Sequence, residues 1–147
     1  MDEAAAREAF ENAIATQKPE FGQFFLARFY GCEFDYTDDE CRITFDIKDF
    51  MHNPRGGLHG GVIAFVMDIS MGHLLRHRSG PGATLELKVQ YLKAPSAGRM
   101  TCVARFLRHG RGVSFLRSEI TDEDGDLVAF ATSTWKSLSG KNPAGAT

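Results

Sequence analysis

Two groups of residues in this 147-residue chain have types and a spacing suited to chemistry. The first is the run Asn53-Pro54-Arg55-Gly56-Gly57-Leu58-His59-Gly60-Gly61, which leads from a loop into an apolar stretch. Gly60 and Gly61 stand at the expected start of a helix. Unpaired N–H groups and about half a positive charge face outward there, and glycine lets a ligand come close to the backbone. Such an end can polarise a carbonyl or hold an oxyanion; the alternative use of a glycine pair is a tight entry from loop to helix. The second group is a single acid, Asp68, set among Phe65, Val66, Met67, Ile69 and Met71. Desolvation in that company raises a carboxyl pKa toward the range of a general base. A buried carboxylate is costly unless paired, so the alternative is a structural Asp hydrogen-bonded to a strand.

Spacing adds a constraint. On one straight helix Gly60 and Asp68 lie about 12 Å apart, at ~1.5 Å per residue. A base and an oxyanion donor must both stand about 3 Å from the same reacting group. One helix cannot place both. Two antiparallel copies, one from each subunit of a symmetric dimer, can do so, which predicts an active site across a twofold interface.

Other chemistries find less support. Asp68-Ile69-Ser70-Met71-Gly72 has Asp where a nucleophile elbow needs its first Gly, and it lies inside the expected helix. Cys32, Cys41 and Cys102 are odd in number, lack metal-ligand spacing and have no basic neighbour on their strand patterns, so they read as core thiols of a reducing compartment. His73 and His77 are one helical turn apart, but no third ligand shares their face and Arg76 and Arg78 repel a cation; they are expected to face solvent. His52 and His109 fall in loops without an assigned role. The glycine run fails the dinucleotide pattern. No metal and no cofactor is expected.

The elements that must carry these residues follow from periodicity. Asp2 can cap a helix over residues 3–17 with Ala6, Phe10 and Ile14 on one stripe, and Pro19 can open a second, short helix bearing Phe21, Phe24, Phe25 and Phe29. From Tyr30 the period becomes two: Cys32, Phe34 and Tyr36, a turn at Thr37–Glu40, then Cys41, Ile43, Phe45 and Ile47 make a hairpin. Residues 49–58 form a loop. The stretch from His59 to Arg78 is apolar around nearly its whole circumference and ends in basic residues, as a buried helix should. Alternation returns in Leu85, Leu87, Val89 and Tyr91, in Met100, Cys102, Ala104 and Phe106, and in runs over 113–121 and 127–136. One long apolar helix followed by meander strands implies an α+β architecture with an antiparallel sheet curled around the helix. The expected divisions are a helical arm over 1–29, the main domain over 30–137 and a flexible tail over 138–147.

Composition limits the function classes. The length suits one domain, and a formal net charge of -2 gives no general attraction to nucleic acid or to anionic lipid. The start MDEAAAREAF is acidic where a secretion signal would be basic and then apolar. Val62–Leu75, the most apolar stretch, is short for a spanning helix and carries Asp68 and His73. The expectation is a cytoplasmic protein with no nucleic-acid or membrane partner.

The pattern N-P-R-G-G-L-H-G-G-V-I-A-F-V-M-D, with the later T-L-E-L-K-V-Q-Y-L-K-A-P, resembles the hotdog-fold acyl-CoA thioesterases of the PaaI / THEM2-like type. The likeness runs from about Tyr30 to Lys136, with its specific part at 53–95. It implies a central helix wrapped by an antiparallel sheet, protomers that pair their sheets, and a homodimer or dimer of dimers with active sites at the subunit interface. It implies an acyl-CoA substrate, with Asp68 as general base or nucleophile and the Gly60 N–H as carbonyl polariser. By the same resemblance Asn53 holds the carbonyl or the attacking water, His59 braces the loop and the thioester end, and Thr84 steers the water, with Asp68 and Thr84 facing Gly60 of the partner subunit. Lys88, Lys93 and the basic turn at 108–111 are candidates for coenzyme A phosphates or a solvated strand face. The Phe-rich arm has no fixed counterpart, which leaves the acyl group open. Two rival functions share the fold: a hydratase or dehydratase using His59 with Asp68, and a non-catalytic acyl-CoA sensor.

Overall fold

The computed structural model describes residues 1–138; the tail expected over 138–147 lies, from 139 on, outside the described residues. Its centre is α3 (Gly60–Ser79), which packs on strands β2 (Glu40–Asp46), β3 (Gly82–Tyr91), β4 (Arg99–Arg108), β5 (Val113–Thr121) and β6 (Leu127–Ser137). With β1 (Glu33–Tyr36) these form one antiparallel sheet in the order β1-β2-β4-β5-β6-β3. The helix is long and apolar because the curled sheet removes most of its circumference from water: Val62, Ile63, Val66, Met67, Met71, Leu74 and Leu75 are buried against Ile43, Phe45, Met100, Leu116, Ile120 and Val128. This is the α+β hotdog architecture expected from the sequence. Among the described residues no helix is long and apolar enough to cross a membrane.

Polar groups trapped between helix and sheet find partners, as burial requires. Ser70 Oγ donates to the Met67 carbonyl at 2.7 Å and lies 2.9 Å from Ser118 Oγ, which lies 3.1 Å from Cys102 Sγ. The Trp135 indole N–H donates to Ser133 Oγ at 2.7 Å. All three cysteines are buried, and burial pushes their thiols well above the ordinary value, Cys102 to about 11. They are core thiols, as expected.

Trp135 also explains a glycine. A Cβ on Gly72 would lie 2.6 Å from Trp135 Cη2, so the indole rests directly on the helix backbone. Gly72→Ala gains about 1 kcal/mol in helix propensity but overpacks a buried ring, which costs ~1–3 kcal/mol. The expected net effect is a loss of stability, read as a melting temperature lower by roughly 2–4 °C for each kcal/mol lost. An unchanged or raised melting temperature would show that Trp135 yields freely.

Several expectations need correction. The first helix, α1 (Glu3–Thr16), is capped by Asp2, whose carboxylate accepts from the Ala5 N–H at 3.0 Å. Its apolar stripe is not covered, however: Phe10 is 49% exposed and Ile14 57%, and the buried residue is Ala13. The second helix does not open at Pro19. Residues 18–23 close a turn in which Gly22 has φ 83°, a left-handed conformation that no right-handed helix can contain, so α2 spans Phe25–Phe29. Phe21 lies outside it. Leu85 does not share the inward face of β3: a bulge between Thr84 and Glu86 leaves it 59% exposed, while Leu87 and Val89 pack against the core. His73 does not face solvent; it is 2% exposed. Lys93, a candidate for either a coenzyme A phosphate or a solvated strand face, is ion-paired with Asp122 and Asp126.

Candidate active site

The loop before α3 is built by its own polar atoms. Asn53 Oδ1 accepts from the N–H of Arg55 at 2.8 Å and of Gly57 at 3.4 Å, and the Asn53 N–H donates to the Gly57 carbonyl at 2.8 Å. This local closure is what Asx residues do in turns. The loop then docks on the segment after β3. Leu58 N–H donates to the Pro95 carbonyl at 2.8 Å, and a Cβ on Gly57 would lie 2.9 Å from the Ala94 carbonyl oxygen, so only glycine fits there. Among the described residues the Asn53 side-chain NH2 makes no hydrogen bond, which narrows any role of Asn53 toward ligand to that of a donor.

His59 caps α3. Its Nδ1 accepts from the Gly61 N–H at 2.8 Å, so in the neutral ring the proton sits on Nε2. One of the helix's free N–H groups is thereby spent. The Gly60 N–H has no acceptor among the described residues, so of the two glycines it is Gly60 whose donor remains open. Tyr91, at the end of β3, frames it: its hydroxyl donates to the Gly60 carbonyl at 3.1 Å, and a Cβ on residue 60 would stand 3.2 Å from Tyr91 Cε1. Sequence reasoning did not find Tyr91. It appears there as the last residue of an alternating run and within the later matched pattern, with no role assigned, and nothing in the spacing links it to a glycine 31 positions earlier.

Asp68 is half-buried on α3, and Thr84 Oγ1 donates to its Oδ1 at 3.0 Å from the start of β3. Burial raises the carboxyl pKa above its ordinary 3.8, while the Thr84 hydrogen bond opposes the shift. The result is a carboxylate with one oxygen steadied by Thr84, and among the described residues no cation is paired with it.

The candidate residues thus fall into two clusters. Asn53, His59 and Gly60 gather at the N-terminal end of α3, and Asp68 pairs with Thr84 about 12 Å along the same helix, at ~1.5 Å per residue. Within one chain they are not brought together. Both clusters lie against β3, which forms one edge of the sheet and, among the described residues, has no strand beside its outer edge.

The comparisons with known proteins agree with this architecture. The thioesterase superfamily model matches residues 55–129. A medium/long-chain acyl-CoA thioesterase, YigI of Salmonella typhimurium, is 33% identical over 94 residues, covering 53% of this chain and 61% of its own. The matched region therefore spans less than two thirds of that relative. Among solved structures, the conserved protein PA5202 of Pseudomonas aeruginosa is 27% identical with a TM-score of 0.72, covering 77% of this chain and 93% of that one. The E. coli PaaI protein superposes with a TM-score of 0.77 over 93% of this chain and 98% of its own at 18% identity, a likeness of fold.

Proposed function

The chain belongs to the thioesterase superfamily, and from that premise we propose that it hydrolyses acyl-CoA thioesters to a free acid and coenzyme A. The observation that carries this reading is the pair of unspent groups on α3: a desolvated Asp68 steadied by Thr84, and the Gly60 N–H without an acceptor. In the proposed reaction the thioester carbonyl oxygen accepts from the Gly60 N–H. Asp68 takes a proton from water as the hydroxyl oxygen adds to the carbonyl carbon; alternatively its own carboxylate oxygen adds, and water cleaves the mixed anhydride once the thiolate has left. Collapse breaks the C–S bond, and the thiolate leaves with the electron pair. Free thiols have a pKa near 8.5, so a thiolate departs without the strong acid assistance an amine would need. In this reading the Asn53 amide hydrogens hold the carbonyl or the water, and His59, bonded to the Gly61 N–H, braces the helix end that carries Gly60.

Because the two clusters are about 12 Å apart along the helix, the proposed site takes Gly60 from one protomer and Asp68 with Thr84 from the other. The edge of β3, which no strand covers among the described residues, supports a homodimer in which two β3 strands meet: a 10-residue strand with such an edge is a template for another copy. The hydratase alternative needs a histidine base. Here the His59 Nδ1 lone pair is engaged by the Gly61 N–H, leaving a neutral ring only an Nε2–H to donate, which favours hydrolysis.

The deciding experiment is steady-state turnover on short-, medium- and long-chain and aromatic acyl-CoA thioesters with a thiol-trapping reagent. Free thiol formed stoichiometrically with acid is the expected result. An enoyl product without free thiol would establish dehydration instead. Binding without any turnover would leave the sensor.

A pH prediction follows from the desolvation of Asp68. The base works only when ionised, so kcat at saturating substrate should fall on acidification, with an apparent pKa above the ordinary carboxyl value of 3.8. An acid limb at or below that value would mean a solvated carboxylate.

A further inference from the structure

Between the segment before α2, strand β1 and the C-terminal half of α3 lies a pocket of about 210 Å³ lined by Phe21, Tyr36, His73, Arg76 and His77. None of these residues belongs to the proposed catalytic clusters. We propose that this pocket binds a small carboxylate with an apolar body, held by Arg76 and by the polar hydrogen left over in the Tyr36–His73 pair.

That hydrogen follows from counting. The Tyr36 hydroxyl and His73 Nδ1 are 2.7 Å apart. A neutral phenol and a neutral imidazole bring two polar hydrogens to this contact and share one. If the hydroxyl donates, His73 Nε2–H is left without an acceptor. If Nδ1–H donates, the phenolic hydrogen is left. His73 Nε2 is buried and has no partner among the described residues, and a buried polar group left unmade is destabilising. The imidazole is held neutral by burial and by the nearby Arg76 guanidinium, which lower its pKa to about 4. Nε2 itself is closed off from solvent, so the donor the pair can offer to an incoming acceptor is the phenolic hydrogen of Tyr36, which lines the pocket.

Charge points the same way. The Arg76 guanidinium lies over the Phe21 ring, 4.3 Å from its centroid, and among the described residues it has no carboxylate partner. Arg78, two residues on, is by contrast engaged with Asp38 and Asp39. Among the described residues no carboxylate lines the pocket. The apolar part of the ligand would meet flat rings: Phe21 stands edge-on to His73 at 5.0 Å, and Tyr36 stacks on His77 at 5.2 Å. The volume lies below the ~300–1,000 Å³ of sites for drug-sized ligands, so the body is small, of the order of one ring.

The test uses the full chain, sodium benzoate as probe and benzamide as its neutral counterpart of the same shape. Histidine-ring nitrogen NMR at pH 7 should show saturable movement of the His73 resonances with benzoate, and binding at least about tenfold weaker with benzamide. Arg76→Gln, at an exposed position where folding is not at stake, should weaken benzoate by a similar factor. Asp68→Asn should leave benzoate affinity unchanged, which keeps this test separate from the hydrolase reading. Static His73 resonances, equal affinity for benzamide, or wild-type affinity in Arg76→Gln would each overturn the proposal.

Discussion

Asp68→Asn is expected to lower kcat by about 10²–10⁴-fold as a lost general base, and by more if the carboxylate is the nucleophile. Asparagine is nearly isosteric and can still accept from Thr84, so the fold and KM should change little. Stability should not fall with activity. Burial raises the Asp68 pKa in the folded chain, so the folded state holds this proton more tightly than the unfolded chain does. Between the unfolded and the folded pKa, stability therefore declines as pH rises, and the full penalty persists above the folded pKa. Removing the charge should leave the protein at pH 7 as stable as the wild type or more so, measured by thermal unfolding. A variant that keeps more than about a tenth of wild-type turnover would make Asp68 structural and remove the mechanism.

Mixed dimers should recover activity that neither parent has. The two parents are Asp68→Asn, which lacks the base, and Gly60→Pro, which lacks the proposed N–H donor. Proline is tolerated at the first helical position, and His59 already has the extended backbone, φ -66° and ψ 133°, that a following proline requires. The new ring must push Tyr91 aside by a few tenths of an ångström, because a Cβ at residue 60 would sit 3.2 Å from it. Gly60→Ala carries the same Cβ but keeps the N–H, and so separates crowding from loss of the donor. Losing one oxyanion donor costs about 10²–10³ in kcat, so each homodimer should be nearly inactive. If each site takes Gly60 from one protomer and Asp68 from its partner, a mixed dimer has one intact site and one with both lesions. Co-expression with two tags should then return roughly half of wild-type activity per mixed dimer. Mixed dimers as inactive as their parents, with both variants folded by circular dichroism, would place the site within one chain.

Much of this protein was legible in its residues because the signals are local. The buried helix shows itself by apolar residues around its whole circumference, the hairpins by alternation with turn residues between, and the Asp2 cap by its place before the first helix. The separation of Gly60 from Asp68 needed only the rise of a helix; that two copies share the site is the proposal the mixed dimers decide. Contacts between distant segments were of another kind. The resemblance placed Thr84 near the chemistry, but only the neighbouring of β3 and α3 set its hydroxyl on Asp68 Oδ1, and only that packing brought Tyr91 over Gly60. His73 sits in the basic last turns of the helix, where the pattern suggested water; Phe34 stacked at 4.4 Å and the Tyr36 hydroxyl bury it instead. Lys93 is claimed by an acidic turn about 30 residues later, and Leu85 is expelled by a bulge that no alternation announces. Periodicity reports which face of an element is buried. What lies against that face is decided by the order of the strands, which brings together residues whose distance along the chain carries no information about their distance in space.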